Sequence, residues 1–260
     1  MGPLLLSMAK ETALWPAVAT LSALAAAAFL SARKIPFPLA TAAGFMTGYA
    51  LVLGSTAFPP SEAQGWIPWF ILAALAVFAR DDVREYSETH RLALQVALSA
   101  AGAALLLYPL FKTPGSLPLL LVSIPLWIFI WRCIESGRGA ALLLASAGNA
   151  AVCATTGSTL LGQLGGILAT AVFLRILAGK PSHAESAVAA MILPSLMLTG
   201  HAYAGTLLIP DLLLVAAFAA EPIAKWLKRP LLAWPIAFVP VAFASAIAIR
   251  DYLSQGASGY

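Results

Sequence analysis

The chain has 260 residues, of which 61% are hydrophobic and only 10% are charged. Soluble globular proteins have charges on roughly a quarter of their residues, so this composition excludes an ordinary soluble domain. The net charge of +4 does not indicate a nucleic-acid partner, because the Lys and Arg residues are dispersed between apolar runs rather than clustered.

The apolar runs predict an all-α polytopic membrane protein with ten transmembrane helices. A hydrocarbon core about 30 Å thick takes roughly 17 to 25 apolar residues per helix. Residues 1–260 form one integral membrane domain in this prediction, and the first run is a retained span rather than a cleaved signal peptide. The predicted spans are residues 12–32, 36–58, 65–78, 92–111, 117–131, 139–155, 158–178, 184–209, 211–224 and 231–249.

The charges between the runs predict the orientation, because Lys and Arg concentrate in cytoplasmic connections. If the N-terminus lies outside, only Lys10, Lys112 and Arg250 of the 15 Lys and Arg residues fall outside. We therefore expect a multi-pass protein of the cell membrane, specifically the bacterial cytoplasmic membrane, with both termini outside. The inside residues are Arg33, Lys34, Arg80, Arg84, Arg91, Arg132, Arg138, Arg175, Lys180, Lys225, Lys228 and Arg229.

The shortest predicted connection is the turn Thr155-Thr156-Gly157-Ser158 between spans six and seven. Gly157 supplies the backbone freedom that such a turn needs. One long helix across this turn would give nine spans and would move five positive charges outside, against the positive-inside rule. We therefore predict two helices here.

Ten spans divide into two sets of five, residues 1–135 and 136–260, which would have opposite orientations as in inverted-repeat transporters. Span two contains Gly44-x-x-x-Gly48, and its counterpart, span seven, contains Gly162-x-x-x-Gly166. Small-residue pairs of this kind also allow close packing in any membrane helix. An inverted repeat and simple helix packing therefore both remain open.

Polar residues inside the spans are the candidate functional residues, because they are costly in hydrocarbon. Asn149 in span six, Gln163 in span seven and His201 in span eight all fall in the predicted outer half of the bilayer. We expect them to line one cavity. Alternatively, His201 hydrogen-bonds Asn149, Gln163 or a backbone carbonyl and only holds helices together. Asp211 begins span nine on the same side and could share this cavity. It is expected to cap the helix of span nine and to place a favourable negative charge at the helix start.

The other charged features have structural explanations. Glu221 and Lys225 have the spacing of a helical ion pair, and Arg175 is expected to extend to the membrane surface. The connection at residues 80–91 is the most charged segment and is interpreted as a solvated helix extension. Docking of a cytoplasmic partner, or a magnesium ion held by its carboxylates on a phosphorylated substrate, are the alternatives.

No cofactor or metal site is predicted. The sequence has no Gly-x-x-x-x-Gly-Lys-Ser/Thr phosphate loop, no second intramembrane histidine for a haem, and no His-Glu-x-x-His or Cys-x-x-Cys pair for zinc.

Two short segments, Gly157-Ser158 and His201-Ala202-Tyr203-Ala204-Gly205, are similar to the serine and histidine segments of rhomboid intramembrane proteases. The resemblance implies a buried Ser–His pair that cleaves peptides within the membrane. It covers about ten residues and lacks the glycine expected after the serine. It also lacks the histidine and asparagine of an earlier span and the usual number of spans.

Three hypotheses for function follow. The first is permease-like transport of a small solute, with Asn149, Gln163 and His201 lining the site. The second is a non-catalytic subunit or scaffold of a larger membrane complex, whose small-residue faces pack against partner helices. The third is a membrane-embedded enzyme. The expected partners are the lipid bilayer, a small solute in the first case, and partner membrane subunits in the second.

Overall fold

The computed structural model describes residues 40–54, 58–78, 87–113, 115–137, 139–178 and 182–257, with a few isolated positions between residues 14 and 25. Most of predicted span one and most of the charged connection at 80–91 lie outside the described residues. The helices are α1 Ala40–Leu53, α2 Ile67–Phe78, α3 Glu88–Leu107, α4 Ser116–Ser136, α5 Ala140–Thr155, α6 Thr159–Leu177, α7 His183–Tyr203, α8 Leu208–Ala216, α9 Ala220–Trp226 and α10 Ala233–Ala257.

The prediction of an all-α membrane protein is confirmed for this part of the chain, where all regular structure is helical. Span nine is predicted as one helix, but α8 and α9 are separated by a 3₁₀ turn at Ala217–Ala219. The count of ten spans stays a prediction, because several described helices are shorter than a full span. Five described segments are long and apolar enough to cross a membrane: Glu88–Leu110, Ser116–Ser136, Thr159–Leu177, His183–Tyr203 and Pro230–Ser254.

The short turn after α5 confirms that this segment forms two helices. α5 ends at Thr155 and α6 begins at Thr159, and Gly157 between them has a φ of +90°. Residues with a side chain rarely adopt this left-handed conformation, which explains the glycine. The turn folds α6 back along α5, so the two helices pack closely over their length.

Ion pairs join the ends of consecutive helices at one end of the bundle. Arg132 in the last turns of α4 bonds Glu88 at the start of α3, with 2.6 Å between nitrogen and oxygen. Arg175 near the end of α6 bonds Glu185 near the start of α7 at 2.7 Å. The paired helices therefore run in opposite directions. We call this the Arg175 end, and the opposite end, where α7 finishes, the His201 end.

α7 is the central helix of the bundle. Every residue from Ala184 to Gly200 is buried, and α7 contacts α1, α2, α3, α4 and α6. Many of these residues are Ala, Ser or Gly, and small side chains let membrane helices approach closely. The position of α7 brings its polar residues next to several neighbouring helices at once.

A buried hydrogen bond compensates for the proline inside α7. Pro194 has no N–H, so the Ala190 carbonyl one turn earlier loses its helical donor. The Trp127 indole N–H of α4 donates to this carbonyl at 2.6 Å. An unpaired carbonyl in hydrocarbon would cost several kcal/mol, so this contact stabilises the proline-containing helix and ties α4 to α7.

We expect Trp127→Phe to lower the free energy of unfolding by about 1–3 kcal/mol, because it leaves the Ala190 carbonyl without a donor. In a Pro194→Ala background the helix supplies its own N–H, so the same substitution should cost less. Thermal unfolding of the unsubstituted protein, the two single variants and the double variant in detergent measures both values. Trp226→Phe, at a tryptophan that is 80% exposed, is the control. An equal cost in both backgrounds would contradict this account.

Candidate functional site

An imidazole and a carboxylate meet at the His201 end. His201 lies in the last turn of α7 and Asp211 in the first turn of α8. Nδ1 of His201 lies 3.0 Å from Oδ2 of Asp211. The Thr206 hydroxyl, from the connection between the two helices, donates to the same oxygen at 2.8 Å. The carboxylate is therefore held in place by α7 and by the turn that follows it.

The prediction that Asp211 caps a helix is wrong, whereas the predicted negative charge at the helix start is confirmed, because Asp211 lies in the first turn of α8. α8 begins at Leu208, and the residue at its cap position is Leu207. The Asp211 N–H bonds the Leu207 carbonyl at 3.3 Å, so Asp211 is already inside the helix. The helix can start before Pro210 because the first turn needs no N–H donors, so a proline is tolerated there.

The two side chains lie at one end of a groove between α4 and α8, with α7 as its floor. The groove is half-open and has a volume of about 110 Å³. The surface of the groove is almost entirely apolar, and the His201 and Asp211 side chains contribute almost no polar surface to it. We call it the α4–α8 groove. It is lined by Leu119, Val122, Ser123, Leu126, Trp127 and Ile130 of α4, by Pro194, Met197, Leu198 and His201 of α7, and by Leu208, Asp211, Leu212 and Val215 of α8.

Further polar groups of α5 and α7 are buried at the same end of the bundle. Sγ of Cys153 lies 3.8 Å from Oδ1 of Asn149, within α5. A Cβ added to Gly200 would come within 3.2 Å of this sulfur and 3.3 Å of the Thr206 side chain, so α7 passes very close to both. Of the seven buried side-chain atoms without a hydrogen-bond partner in the described residues, three belong to this group: Nδ2 of Asn149, Oγ1 of Thr199 and Oδ1 of Asp211.

The structure brings together a different set of residues from the predicted one. His201 pairs with Asp211 rather than with Asn149 or Gln163. Asn149 is buried, Gln163 is half-buried near the start of α6, and neither residue is part of the groove lining. Their role as cavity-lining residues stays a prediction. From the sequence, Asp211 was placed on the same side of the membrane as these residues, but the role assigned to it was that of a residue at a helix start.

At the Arg175 end, Glu221 does not form the predicted ion pair with Lys225. Its carboxylate instead accepts a hydrogen bond at 3.1 Å from the N–H of Ala140, at the start of α5. A Cβ on Gly137 would come within 2.8 Å of Glu221, so this glycine leaves room for the carboxylate. The reason is that the first N–H groups of a helix have no internal partner and attract an anion.

The arrangement expected of a rhomboid-like protease is not formed. Ser158 lies at the start of α6, and no hydrogen bond joins its hydroxyl to His201, whose partner is Asp211. Within the described ranges there is no group of three or more His, Cys, Asp or Glu side chains that could hold a metal ion.

The chemistry available at this site is that of one carboxylate and one imidazole at the end of an apolar groove. Such a pair can bind hydrogen-bond donors and cations, and the imidazole can exchange a proton near neutral pH. Comparisons of the chain with protein-family models, curated protein sequences and solved structures found no match.

Proposed function

We propose that the protein is a permease-like transporter that moves a small solute across the cell membrane, and that the solute binds at His201 and Asp211. The observation that carries this proposal is the hydrogen-bonded His201–Asp211 pair at the end of the α4–α8 groove. Ionisable side chains at membrane depth are costly, and in membrane proteins they mark the paths of substrates and ions.

The proposal includes ten spans in the bacterial cytoplasmic membrane, with both termini outside. The distribution of charge supports it, because Arg132, Arg175 and Lys225 all lie near the Arg175 end of the described bundle. That end would face the cytoplasm. The His201 end would then face outside, and the groove would open from the outer half of the membrane.

Helix packing supports two inverted halves. α1 packs on α6, and these helices correspond to the predicted counterpart spans two and seven. α2 packs on α7, and these correspond to the counterpart spans three and eight. α3 and α4, which correspond to spans four and five, pack against each other. Their counterparts in spans nine and ten, α8 and α10, also pack against each other. The α4–α8 groove lies between α4 of the first half and α7 and α8 of the second. A site between the halves is what inverted-repeat transporters use.

The small-residue faces of the helices, which favoured a role as a subunit, pack against other helices of the same chain. A Cβ on Gly165 would come within 3.0 Å of the Ala150 backbone, and a Cβ on Gly162 within 3.0 Å of the Ala150 carbonyl oxygen. Gly44 and Gly48 of α1 are buried as well. These glycines bring helices of the same chain together, so transport has the stronger support of the two hypotheses.

A transport assay can test the proposal before the solute is identified. Proteoliposomes are incubated with a small-molecule extract of bacterial cells, washed, and their contents identified by mass spectrometry. We expect at least one solute to be enriched over empty vesicles. His201→Ala and Asp211→Asn should reduce that enrichment about tenfold or more, because each removes a charge-assisted hydrogen bond.

Glu88→Gln, at the Arg175 end, is the matched control and should transport normally. The amount of protein inserted and its melting temperature are measured for each variant, so that loss of transport is separated from loss of folding. No enriched solute, or unchanged enrichment in both site variants, would refute the proposal.

A further inference from the structure

The α4–α8 groove has the shape and chemistry of a site for an alkyl chain. Its α4 wall extends from Leu119 to Ile130, which at a rise of 1.5 Å per residue is about 16 Å. The one polar side chain along this wall, Ser123, donates its hydroxyl hydrogen to the Leu120 carbonyl at 2.9 Å, so it is already satisfied. A hydrophilic solute would find no hydrogen-bond partners along the groove, whereas an alkyl chain would bury apolar surface.

The rim of the groove consists of exposed apolar side chains. Val122 is 55%, Leu208 58% and Leu212 45% exposed, although all three line the groove. In a membrane these side chains would contact lipid tails, so the groove is continuous with the hydrocarbon of the bilayer. A ligand with an alkyl chain can therefore enter sideways, without passing through water.

The Asp211 carboxylate at the end of the groove favours a ligand with a positively charged head group. Oδ2 of Asp211 takes the hydrogen bonds from His201 and Thr206, while the buried Oδ1 has no partner. Asp211 is only 8% exposed. No Lys or Arg pairs with it in the part of the chain that the structure describes. A buried carboxylate with an unused oxygen is stabilised by a ligand that brings both positive charge and N–H donors.

We propose that the solute of this site is a long-chain amine from the bilayer, with its ammonium group on Asp211 and its single alkyl chain along α4. This inference rests on the proposed transport function, because it names the class of solute for the same site. The ammonium supplies the donor that Oδ1 lacks and offsets the carboxylate charge. The chain fills the apolar length of the groove.

Photolabelling tests the inference on the full chain in lipid vesicles. The probe is a photoactivatable, alkyne-tagged long-chain amine, and the comparison probe is the fatty acid of the same chain length and tag position. We expect the amine to label peptides of α4 and α7 that line the groove, and the acid to label them about tenfold less. Asp211→Asn should reduce amine labelling by a similar factor, since it removes a charge-assisted hydrogen bond.

Leu212→Trp should also reduce labelling, because the larger side chain fills the groove without altering the polar pair. Leu177→Trp is the control, since Leu177 is 69% exposed on α6, a helix that does not line the groove. Equal labelling by amine and acid would overturn the inference. Labelling that Leu212→Trp leaves unchanged would overturn it too.

The inference and the transport proposal can fail separately. If the extract assay identifies a hydrophilic solute whose uptake depends on His201, while the amine does not label the groove, transport stands and the long-chain amine is wrong. If the amine labels the groove and depends on Asp211, but is not carried between leaflets in proteoliposomes, the ligand class is right and transport is wrong.

Discussion

Replacement of Glu185 by alanine is expected to lower the free energy of unfolding by about 3 kcal/mol or more, because it breaks a buried ion pair. Nε of Arg175 lies 2.7 Å from Oε2 of Glu185, and their side chains are only 15% and 4% exposed. The same carboxylate accepts a hydrogen bond from the N–H of Ser182 at 3.1 Å, which completes the cap of α7. The substitution therefore removes the carboxylate that pairs with a buried guanidinium, and it uncaps the central helix.

Thermal unfolding in detergent measures this loss, and Glu88→Ala is the matched control. The Glu88–Arg132 pair is as short as the buried one, but its side chains are 71% and 44% exposed, so little change in melting temperature is expected. Replacing both members of the buried pair with methionine should lower the free energy of unfolding less than Glu185→Ala does, because the buried guanidinium is removed together with its carboxylate. An equal loss of melting temperature in Glu185→Ala and Glu88→Ala would show that burial does not decide how much an ion pair contributes to stability.

Gly165→Leu is expected to destabilise the protein by about 3 kcal/mol, because there is no room for a side chain between α5 and α6. A single added carbon at this position would already lie 3.0 Å from the backbone nitrogen and Cα of Ala150. Backbone atoms cannot move aside as a flexible side chain can, so the two helices would have to separate. Loss of protein yield and a lower melting temperature are the expected observations.

The control for this prediction is Thr159→Leu, which adds a similar side chain at an exposed position of α6. It should leave the melting temperature nearly unchanged. If Gly165→Leu were tolerated as well as Thr159→Leu, the close packing of α5 on α6 would not contribute to stability.

The helical membrane class and the positions of most helices could be predicted from sequence, because both depend on local properties. Hydrocarbon requires every backbone group to be bonded within its own helix, so an apolar run of sufficient length identifies a helix without reference to its neighbours. The turn at Gly157 could be predicted for the same reason, because a glycine between two apolar runs can adopt a left-handed conformation without any tertiary contact. These predictions are confirmed in the described residues.

The candidate site could be predicted only in part. His201 was identified because a histidine at membrane depth is unusual in any sequence. Its partner was not, because Asp211 lies in another helix, and the expected neighbours Asn149 and Gln163 lie in two others. Which of these side chains meets the imidazole depends on how α5, α6 and α8 are rotated about their axes, and hydropathy does not specify rotation.

The sequence by itself therefore determined the helical membrane class and the order of the described helices. Only the tertiary structure decided which polar groups share a contact: His201 with Asp211, and Glu221 with the start of α5 rather than with Lys225. The physical reason is that the two kinds of interaction act over different distances along the chain. Transfer of a segment into hydrocarbon is a sum over its own residues, whereas a hydrogen bond between helices requires two distant segments to approach within about 3 Å.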